Sequence, residues 1–341
     1  MIFTRRFVFW LAVTVLIGAV FLRPWASEPP RDTIRVVVVN YLSYASLFIA
    51  QEEGFFADEG LDVELLQVAA VSRAIPALIQ GDIDVLPAAI MPSFFNIINR
   101  GGLMKVVAGK GYNSVEGCAY SGIMARRSLL ESGELSSAGD MAGRRVSTDR
   151  TAPSYYRFNQ FLLAAGLTLD DLVVIDIPPA AKFDAFETGA LDVATASEPW
   201  ITRYHRAGDS LLWSRTSDHL PGFQFGYLLF GKTLLEDRPE DGEKFILAYL
   251  KAVRHMNDEG NSERHVDILA KYTGLDKELL TEACWAPVRN DGRVQIESLA
   301  GYQDWALKQG LVTRIASVET LYDSRYIESA NRLLAQQVDT N

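Results

Sequence analysis

Hydrophobic runs with strand and helix periods alternate along the first part of the chain. The β-branched run TIRVVVVN at Thr33–Asn40 is typical of a buried strand in a parallel sheet. ASLFIAQEEGFF follows with its apolar residues on one helix face, and a second strand begins near Asp62. SRAIPALIQ predicts a helix and DVLPAAI a third strand, while Gly60 and Gly81 supply the helix stops. The pattern predicts the order βαβαβ.

The same order returns from Gly143. RRVSTDR predicts a strand, SYYRFNQFLLAAGL a helix closing at Gly166, LVVIDI a strand, AAKFDAFETG a helix closing at Gly189, and DVATAS a strand. The two helix stops are 23 residues apart here and 21 residues apart in the first unit. Parallel strands of this kind need right-handed crossovers, with helices on the faces of the sheet. The repeat therefore predicts two similar α/β lobes.

Two segments are expected to connect the lobes. MKVVAGKGYNSVEGCAYSGIMARRS contains two strand-like runs around a glycine-rich stretch, and PGFQFGYLLFGK at Pro221–Lys232 fits a return strand. Residues 239–341 are strongly helical in pattern and are expected to pack back on the first lobe. The predicted organisation is lobe 1 (first part) at 28–112, lobe 2 at 113–222, the return to lobe 1 with the C-terminal helices at 223–335, and a tail at 336–341.

The N-terminal segment, residues 1–27, is not expected to belong to the fold. Arg5 and Arg6 precede an uncharged, mostly apolar run at Phe7–Leu22, which is the pattern of an export signal. As a helix this run would be about 24 Å long, slightly short of the roughly 30 Å of a bilayer core. Two interpretations remain open: a signal peptide cleaved near Ala26 or Ser27, and a retained membrane anchor. Both place the folded part in the periplasm or another extracytoplasmic space.

Composition limits the classes of partner. In 341 residues, 48% are hydrophobic and 22% charged, as in an ordinary globular protein. The formal charge of -10 argues against nucleic acid or an anionic membrane surface as the main partner. Cys118 and Cys284 are the only cysteines, and we favour two buried, unpaired thiols, although an oxidising compartment would permit a bridge.

The histidines show no metal-binding spacing. They are isolated from one another and from the cysteines, at His205, His219, His255 and His265. We therefore expect no metal and no cofactor. The sequence also lacks a Ser-His-Asp order, a P-loop and a closely spaced carboxylate pair, so we expect no catalytic residues and no enzyme activity.

Several segments together resemble a known family. YLSYASLFIAQEEGFFADEGLDVELLQV, ALIQGDIDVLPAA, LLAAGL, FETGALDVATASEPW and GYQDWALKQGLV are similar to the periplasmic solute-binding proteins of ABC importers. The chain resembles the branch that captures nitrate, alkanesulfonates, taurine or thiamine-precursor pyrimidines, over about residues 33–330. This resemblance implies a type II periplasmic-binding-protein fold, two doubly wound α/β lobes joined by a two-strand hinge. It also implies a monomer that closes on its ligand and docks on the membrane subunits of an ABC permease.

Ligands of open parallel sheets bind beyond the carboxyl ends of the strands. Four predicted loops meet that condition, at Asn40–Ala45, Ile90–Phe95, Thr148–Tyr156 and Ala196–Trp200, and the lobe crossings add further candidates. The predicted ligand-binding residues are Tyr41, Tyr44, Ile90, Met91, Tyr112, Asn113, Thr151, Ser154, Tyr155, Glu198, Trp200, Phe223 and Gln224. Asp84 and Asp192, which occupy equivalent places in the repeat, are expected to be structural.

The chemistry of these loops favours one ligand class. Relatives that hold sulfonates or nitrate place hydroxyl residues or a cation after the strands of lobe 1, whereas Ala88–Met91 is apolar here. Aromatic residues crowd the other loops, and ring stacking contributes about 0.5–1.5 kcal/mol beyond area burial. We therefore expect an aromatic, heterocyclic or partly apolar organic ligand rather than a small inorganic anion. Glu198 would accept a ligand N–H, and Trp200 would stack on the ligand.

Two alternative functions stay open. Pyrimidine-precursor biosynthetic enzymes share the implied fold, but they carry a cysteine-rich segment and an essential histidine. This chain has only Cys118 in the corresponding region, and no histidine before His205. The other alternative is a receptor that presents its ligand to a membrane sensor instead of a transporter.

Overall fold

The structure is a computed structural model that describes residues 33–68, 70–148 and 153–339. Its strands are β1 Thr33–Val38, β2 Asp62–Gln67, β3 Val85–Ala89, β4 Lys105–Tyr112, β5 Ser121–Arg126, β6 Arg145–Ser147, β7 Val173–Val174, β8 Val193–Ser197, β9 Ser210–Arg215 and β10 Gln224–Phe230.

The helices lie before, between and after these strands. They are α1 Ala45–Glu52, α2 Phe55–Asp58, α3 Ile75–Gln80, α4 Pro92–Asn99, α5 Arg127–Glu131, α6 Pro153–Ala164, α7 Lys182–Glu187, α8 Trp200–Ala207, α9 Thr216–His219, α10 Pro239–Glu259, α11 Glu263–Thr273, α12 Lys277–Glu282, α13 Ile296–Lys308, α14 Val318–Leu321 and α15 Arg325–Asp339. Short 3-10 or π turns occur at Leu42–Tyr44, Val71–Ala74, Ala138–Met141, Leu169–Asp171, Pro179–Ala181 and Thr233–Asp237.

The strands form two five-stranded sheets with the same arrangement. The first has the order β2-β1-β3-β10-β4 and the second the order β7-β6-β8-β5-β9. In each sheet the repeat supplies parallel strands, and a strand reached by a crossing between the sheets pairs antiparallel with both of its neighbours. The predicted fold, two α/β lobes joined by two crossings, is confirmed. The edge strand β9 was not indicated by the sequence pattern.

Asp84 and Asp192 explain why the chain repeats the same turn. Asp84 accepts a hydrogen bond from the backbone N–H of Arg35 at 2.8 Å, and its own N–H donates to the Arg35 carbonyl. Asp192 has the same relation to Arg145, at 3.0 Å, and also pairs with the guanidinium groups of Arg145 and Arg126 at 2.8 Å. Each carboxylate ties the start of one parallel strand to its neighbour, so the repeated aspartate is structural in both lobes.

The C-terminal helices contact both lobes. Helix α10 packs against α1, α2 and α15 on the first sheet, and α13 packs against α4 and β10. Helix α12, by contrast, contacts α8 of the second lobe. The C-terminal region is therefore in contact with lobe 2 as well as with lobe 1.

The apolar core continues from one lobe to the other. One cluster of buried residues includes members of both sheets, and a smaller second cluster lies within lobe 2. The contact between the lobes is aromatic: the Tyr156 ring of α6 lies 5.1–5.3 Å from the rings of Phe223, Tyr302 and Trp305. Trp305 Nε1 donates a hydrogen bond to Asn159 Oδ1 at 3.0 Å. Helices α6 and α13 thus hold the lobes together on one side.

Cys118 and Cys284 form a disulfide, with Cα atoms 5.6 Å apart. The prediction of two unpaired thiols is wrong. It rested on the frequency of free cysteines in cores, whereas pairing across 166 residues is a property of the tertiary fold. The bridge joins the segment between β4 and β5 to the segment after α12.

Within 33–68, 70–148 and 153–339, no helix combines the length and apolarity needed to cross a membrane. The predicted signal or anchor at Phe7–Leu22 lies outside these described residues.

Candidate functional site

A cavity of about 650 Å3 lies between the two sheets. Its first-lobe wall comes from the segments after β1, β2 and β3 and from β4, and its second-lobe wall from the segments after β6, β7 and β8. Because carboxyl ends of parallel strands share one edge of a sheet, both lobes direct loops into the same gap. All four loops predicted from the sequence contribute residues to this lining, as do the crossing strands.

Aromatic rings supply much of the apolar lining. Tyr120 and Phe225 stack with centroids 5.1 Å apart and an interplanar angle of 7°. The ring centroids of Trp200 and Tyr204 are 5.8 Å apart, and both residues line the cavity. Met91 adds a flexible apolar surface from lobe 1. Planar or partly apolar molecules gain dispersion and stacking energy against such walls.

Lys110 is a buried cation in the cavity wall. Its side chain is on β4 and the residue is only 2% exposed. The ammonium group donates to the Ser43 carbonyl at 2.9 Å and lies 3.7 Å from the centroid of the Tyr44 ring. Burial lowers the pKa of Lys110 to about 7. In the described part of the chain it forms no salt bridge with a carboxylate, so its charge is compensated only by dipoles and a ring.

Arg157 approaches the cavity from the opposite lobe. It lies on α6, is 9% exposed, and places its guanidinium 5.8 Å from the centroid of the Phe225 ring. One of its terminal nitrogens donates to Ser197 Oγ at 3.5 Å. Burial lowers the pKa of Arg157 to about 10, so it stays protonated at neutral pH. Lys182, whose Nζ donates to the Thr195 carbonyl at 3.4 Å, adds a third cation to the lining.

Glu198 is buried at the cavity edge, where its carboxylate already has protein partners. It accepts hydrogen bonds from the backbone N–H and the hydroxyl of Thr202, at 3.1 and 2.9 Å, and from the N–H of Cys284 at 3.3 Å. Burial raises the pKa of Glu198 above its ordinary value, against the lowering effect of these hydrogen bonds. The side chain thus satisfies donors in the first turn of α8 and holds the segment around the disulfide.

Hydroxyl groups line both sides of the gap. Those of the described lining residues belong to Ser43, Ser72, Ser147, Ser154, Thr195 and Ser197, in addition to the tyrosines. Hydroxyls donate and accept hydrogen bonds, so the cavity can orient a polar group beside its cations.

The structure places the predicted ligand-binding residues in three groups. Those that line the cavity are Tyr41, Tyr44, Met91, Ser154, Glu198 and Trp200. Those that lie outside its lining are Ile90, Tyr112, Asn113, Tyr155, Phe223 and Gln224. Thr151 falls outside the described residues.

Residues of the second group build the crossings and the lobe contact. Asn113 hydrogen-bonds with the Phe223 carbonyl and with Ser121 Oγ between the crossing strands. Gln224 accepts from the N–H of Gln295 in the C-terminal region. Tyr155 packs edge-on against Trp305.

Sequence reasoning missed the buried cations. Lys110 is enclosed in a glycine-rich strand, VAGKGY, and Arg157 lies on α6 among aromatic and polar residues, SYYRFNQF. A lone cation within a strand pattern could have marked Lys110, because a buried charge is costly and is retained for a reason. No local signal in the sequence marked Arg157. That Lys110 and Arg157 face the same cavity follows only from how the two lobes meet.

Two histidines outside the cavity also lie close together. His255 and His265 have ring centroids 5.0 Å apart, with Glu259 beside them. The expectation that the histidines are isolated is wrong for this pair, because the chain turns between α10 and α11 and brings the two helices side by side.

Comparison with known proteins identifies similar chains. The sequence model described as the NMT1-like family matches residues 27–270. A protein of Brucella abortus (strain 2308), whose name describes it as a binding protein, is 24% identical over 250 residues, covering 72% of this chain and 73% of the relative.

Solved structures share the fold. The periplasmic aliphatic sulphonate binding protein SsuA from Escherichia coli superposes with a TM-score of 0.70 at 16% identity, covering 86% of this chain and 92% of its own. The desulfurization enzyme DSZB superposes with a TM-score of 0.64 at 15% identity, covering 89% of this chain and 100% of its own. At these identities the likeness concerns the fold, which serves both binding proteins and an enzyme.

Proposed function

Since the chain belongs to the NMT1-like family, we propose that it is an extracytoplasmic solute-binding receptor. The observation that carries the proposal is the cavity between the sheets, which combines stacked rings with buried cations from both lobes. A volume of about 650 Å3 is within the range of roughly 300–1,000 Å3 typical of small-molecule sites.

The lining supports a particular ligand class, a small organic anion with an aromatic, heterocyclic or partly apolar body. Lys110 and Arg157 approach from different lobes, and an anionic group between them would compensate both charges. The rings of Tyr120, Phe225 and Trp200 would contact the apolar body. A small inorganic anion could use the cations but would leave the aromatic walls without contact.

The ligand would be delivered to an ABC permease. Because both lobes contribute to the lining, ligand contacts favour the arrangement in which the lobes lie together, and the permease would recognise that arrangement. We propose that the protein acts as a monomer in the periplasm, with residues 7–22 serving as an export signal or tether.

We further propose that the protein does not transform its ligand. Both cysteines form a disulfide, so neither offers a thiolate, and neither cysteine nor histidine occurs among the described residues of the lining. These observations disfavour a nucleophilic or acid–base role for the residue types that most often perform one.

Calorimetric titration with matched compounds tests the proposal. Benzenesulfonate and benzoate carry the charge and the ring, benzenesulfonamide and benzamide carry the ring alone, and nitrate and sulfate carry the charge alone. We expect measurable binding of an aromatic anion, at least about tenfold tighter than its neutral counterpart, because only the anion compensates the buried cations. Incubation followed by chromatography should return the ligand unchanged.

Two variants locate the binding site. Trp200→Ala should weaken binding by roughly 0.5–1.5 kcal/mol if the indole stacks on the ligand. Trp213→Ala removes another half-buried tryptophan, on β9 outside the cavity lining, and should leave the affinity unchanged. Tighter binding of nitrate than of every organic anion would contradict the ligand class, and conversion of the ligand would contradict the receptor role.

A further inference from the structure

The turn between α10 and α11 brings three potential metal ligands together, and none of the three lines the solute cavity. His255 and Glu259 are one turn apart on the last part of α10, and His265 lies in the first turns of α11. One ligand atom from each side chain can be chosen so that all three lie within 4.8 Å of one another. We propose that His255, Glu259 and His265 bind a divalent transition-metal ion, of which Zn2+ is the best fit.

His265 is arranged as a metal ligand. Its Nδ1–H donates to the Gly260 carbonyl at 2.8 Å, which leaves the lone pair of the neutral ring on Nε2. The residue is fully buried, and Nε2 has no hydrogen-bond partner among the described residues. A buried nitrogen without a partner carries a free-energy cost, which metal coordination would remove. A carbonyl that fixes the tautomer of the opposite nitrogen is the usual outer contact of a metal-bound histidine.

The other two ligands can adjust to the ion. His255 is half-buried and Glu259 exposed, with His255 Nδ1 4.0 Å from Glu259 Oε1. Tetrahedral Zn2+ at about 2.0–2.1 Å from each ligand needs ligand atoms about 3.3 Å apart, so shifts of about 1.5 Å or less suffice. Glu259 is also the last residue of a 21-residue helix, whose carbonyl end favours a cation.

The donor set selects the class of metal. Two imidazoles and one carboxylate suit Zn2+, Ni2+ or Cu2+ rather than Mg2+ or Ca2+, which prefer oxygen ligands alone. Three protein ligands leave one position for water or an exchangeable group. Because the ligands come from both helices, the ion would hold α11 against α10.

Titration of the full chain, free of any histidine tag, tests the site. We expect one Zn2+ per chain by calorimetry, no saturable Ca2+ binding, and a tetrahedral ligand-field absorption spectrum when Co2+ replaces Zn2+. His255→Gln and Glu259→Gln should each weaken Zn2+ binding by at least about tenfold, since each removes one ligand. His205→Gln removes an exposed histidine on α8 and should bind Zn2+ as the unchanged chain does.

His255 and Glu259 are not fully buried, so their variants are expected to fold, and circular dichroism verifies this. Absence of one-to-one Zn2+ binding would overturn the site. An unchanged Zn2+ affinity in the chain that carries both His255→Gln and Glu259→Gln would also overturn it. So would a loss of Zn2+ affinity in His205→Gln as large as the loss in either ligand variant.

Discussion

At the scale of single residues, the unusual feature is a lysine held inside an apolar wall. The Lys110 ammonium group has the contacts usual for a cation, since it donates to the Ser43 carbonyl and lies over the Tyr44 ring. Burial nevertheless lowers its pKa to about 7. Because the folded pKa is lowered, the unfolded chain binds more protons between about pH 7 and pH 10, and this group makes folding more favourable as pH rises through that window. An anion beside Lys110 has the opposite preference, since it stabilises the protonated form.

We therefore predict that ligand affinity depends on pH through Lys110. Above about pH 7, binding of an aromatic anion such as benzenesulfonate should require proton uptake, and the affinity should fall toward about tenfold per pH unit. Calorimetry in buffers of different ionisation enthalpy measures the protons taken up. Lys110→Gln should bind more weakly at neutral pH and lose this uptake. A pH-independent affinity between pH 7 and pH 9 in the unchanged chain would contradict the assignment.

At the scale of elements, the disulfide connects parts that no local pattern relates. It ties the first crossing between the lobes to the segment after α12, beside the hydrogen bond from Cys284 to Glu198. Such a link restricts the unfolded chain, and the restriction grows with the length of the enclosed loop. The bridge therefore stabilises the region where the C-terminal helices meet lobe 2.

We predict that removing the bridge destabilises the protein. The double variant Cys118→Ser and Cys284→Ser should lose about 2–4 kcal/mol of unfolding free energy. Urea denaturation with and without dithiothreitol measures the effect, and the double variant serves as the control that reductant leaves unchanged. Equal stability of the oxidised and reduced unchanged chain would show that the bridge has no energetic role.

At the scale of the whole molecule, the lobes meet on one side through α6 and α13. The hydrogen bond from Trp305 to Asn159 and the rings around Tyr156 lie outside the ligand lining, yet they hold the same arrangement that encloses the cavity. If the lobes separate on this side to admit ligand, these contacts break. Ligand affinity then depends on residues that never touch the ligand.

We predict that Trp305→Phe weakens binding of an aromatic anion by about 2- to 10-fold, because it removes one hydrogen bond of the enclosed state, about 0.5–1.5 kcal/mol. Small-angle scattering should show a larger radius of gyration without ligand, and the variant should need more ligand to reach the compact value. Leu307→Ala, an exposed position on the same helix, is the control. Unchanged ligand affinity and unchanged scattering in Trp305→Phe would contradict the proposal that the lobes close on the ligand.

The sequence by itself determined the local elements and their repetition. Strand and helix periods, the glycine stops and the repeated aspartate follow from nearest-neighbour chemistry, so they predicted two α/β lobes, two crossings and the loops that reach the cavity. The tertiary structure alone decided which distant residues meet. Three features depend on how the lobes and the C-terminal helices pack: the cysteine bridge, the position of Lys110 and Arg157 in the wall of one cavity, and the cluster at His265. Periodicity fixes which face of an element is buried, but contacts between elements far apart in sequence are selected by the packing of the whole chain.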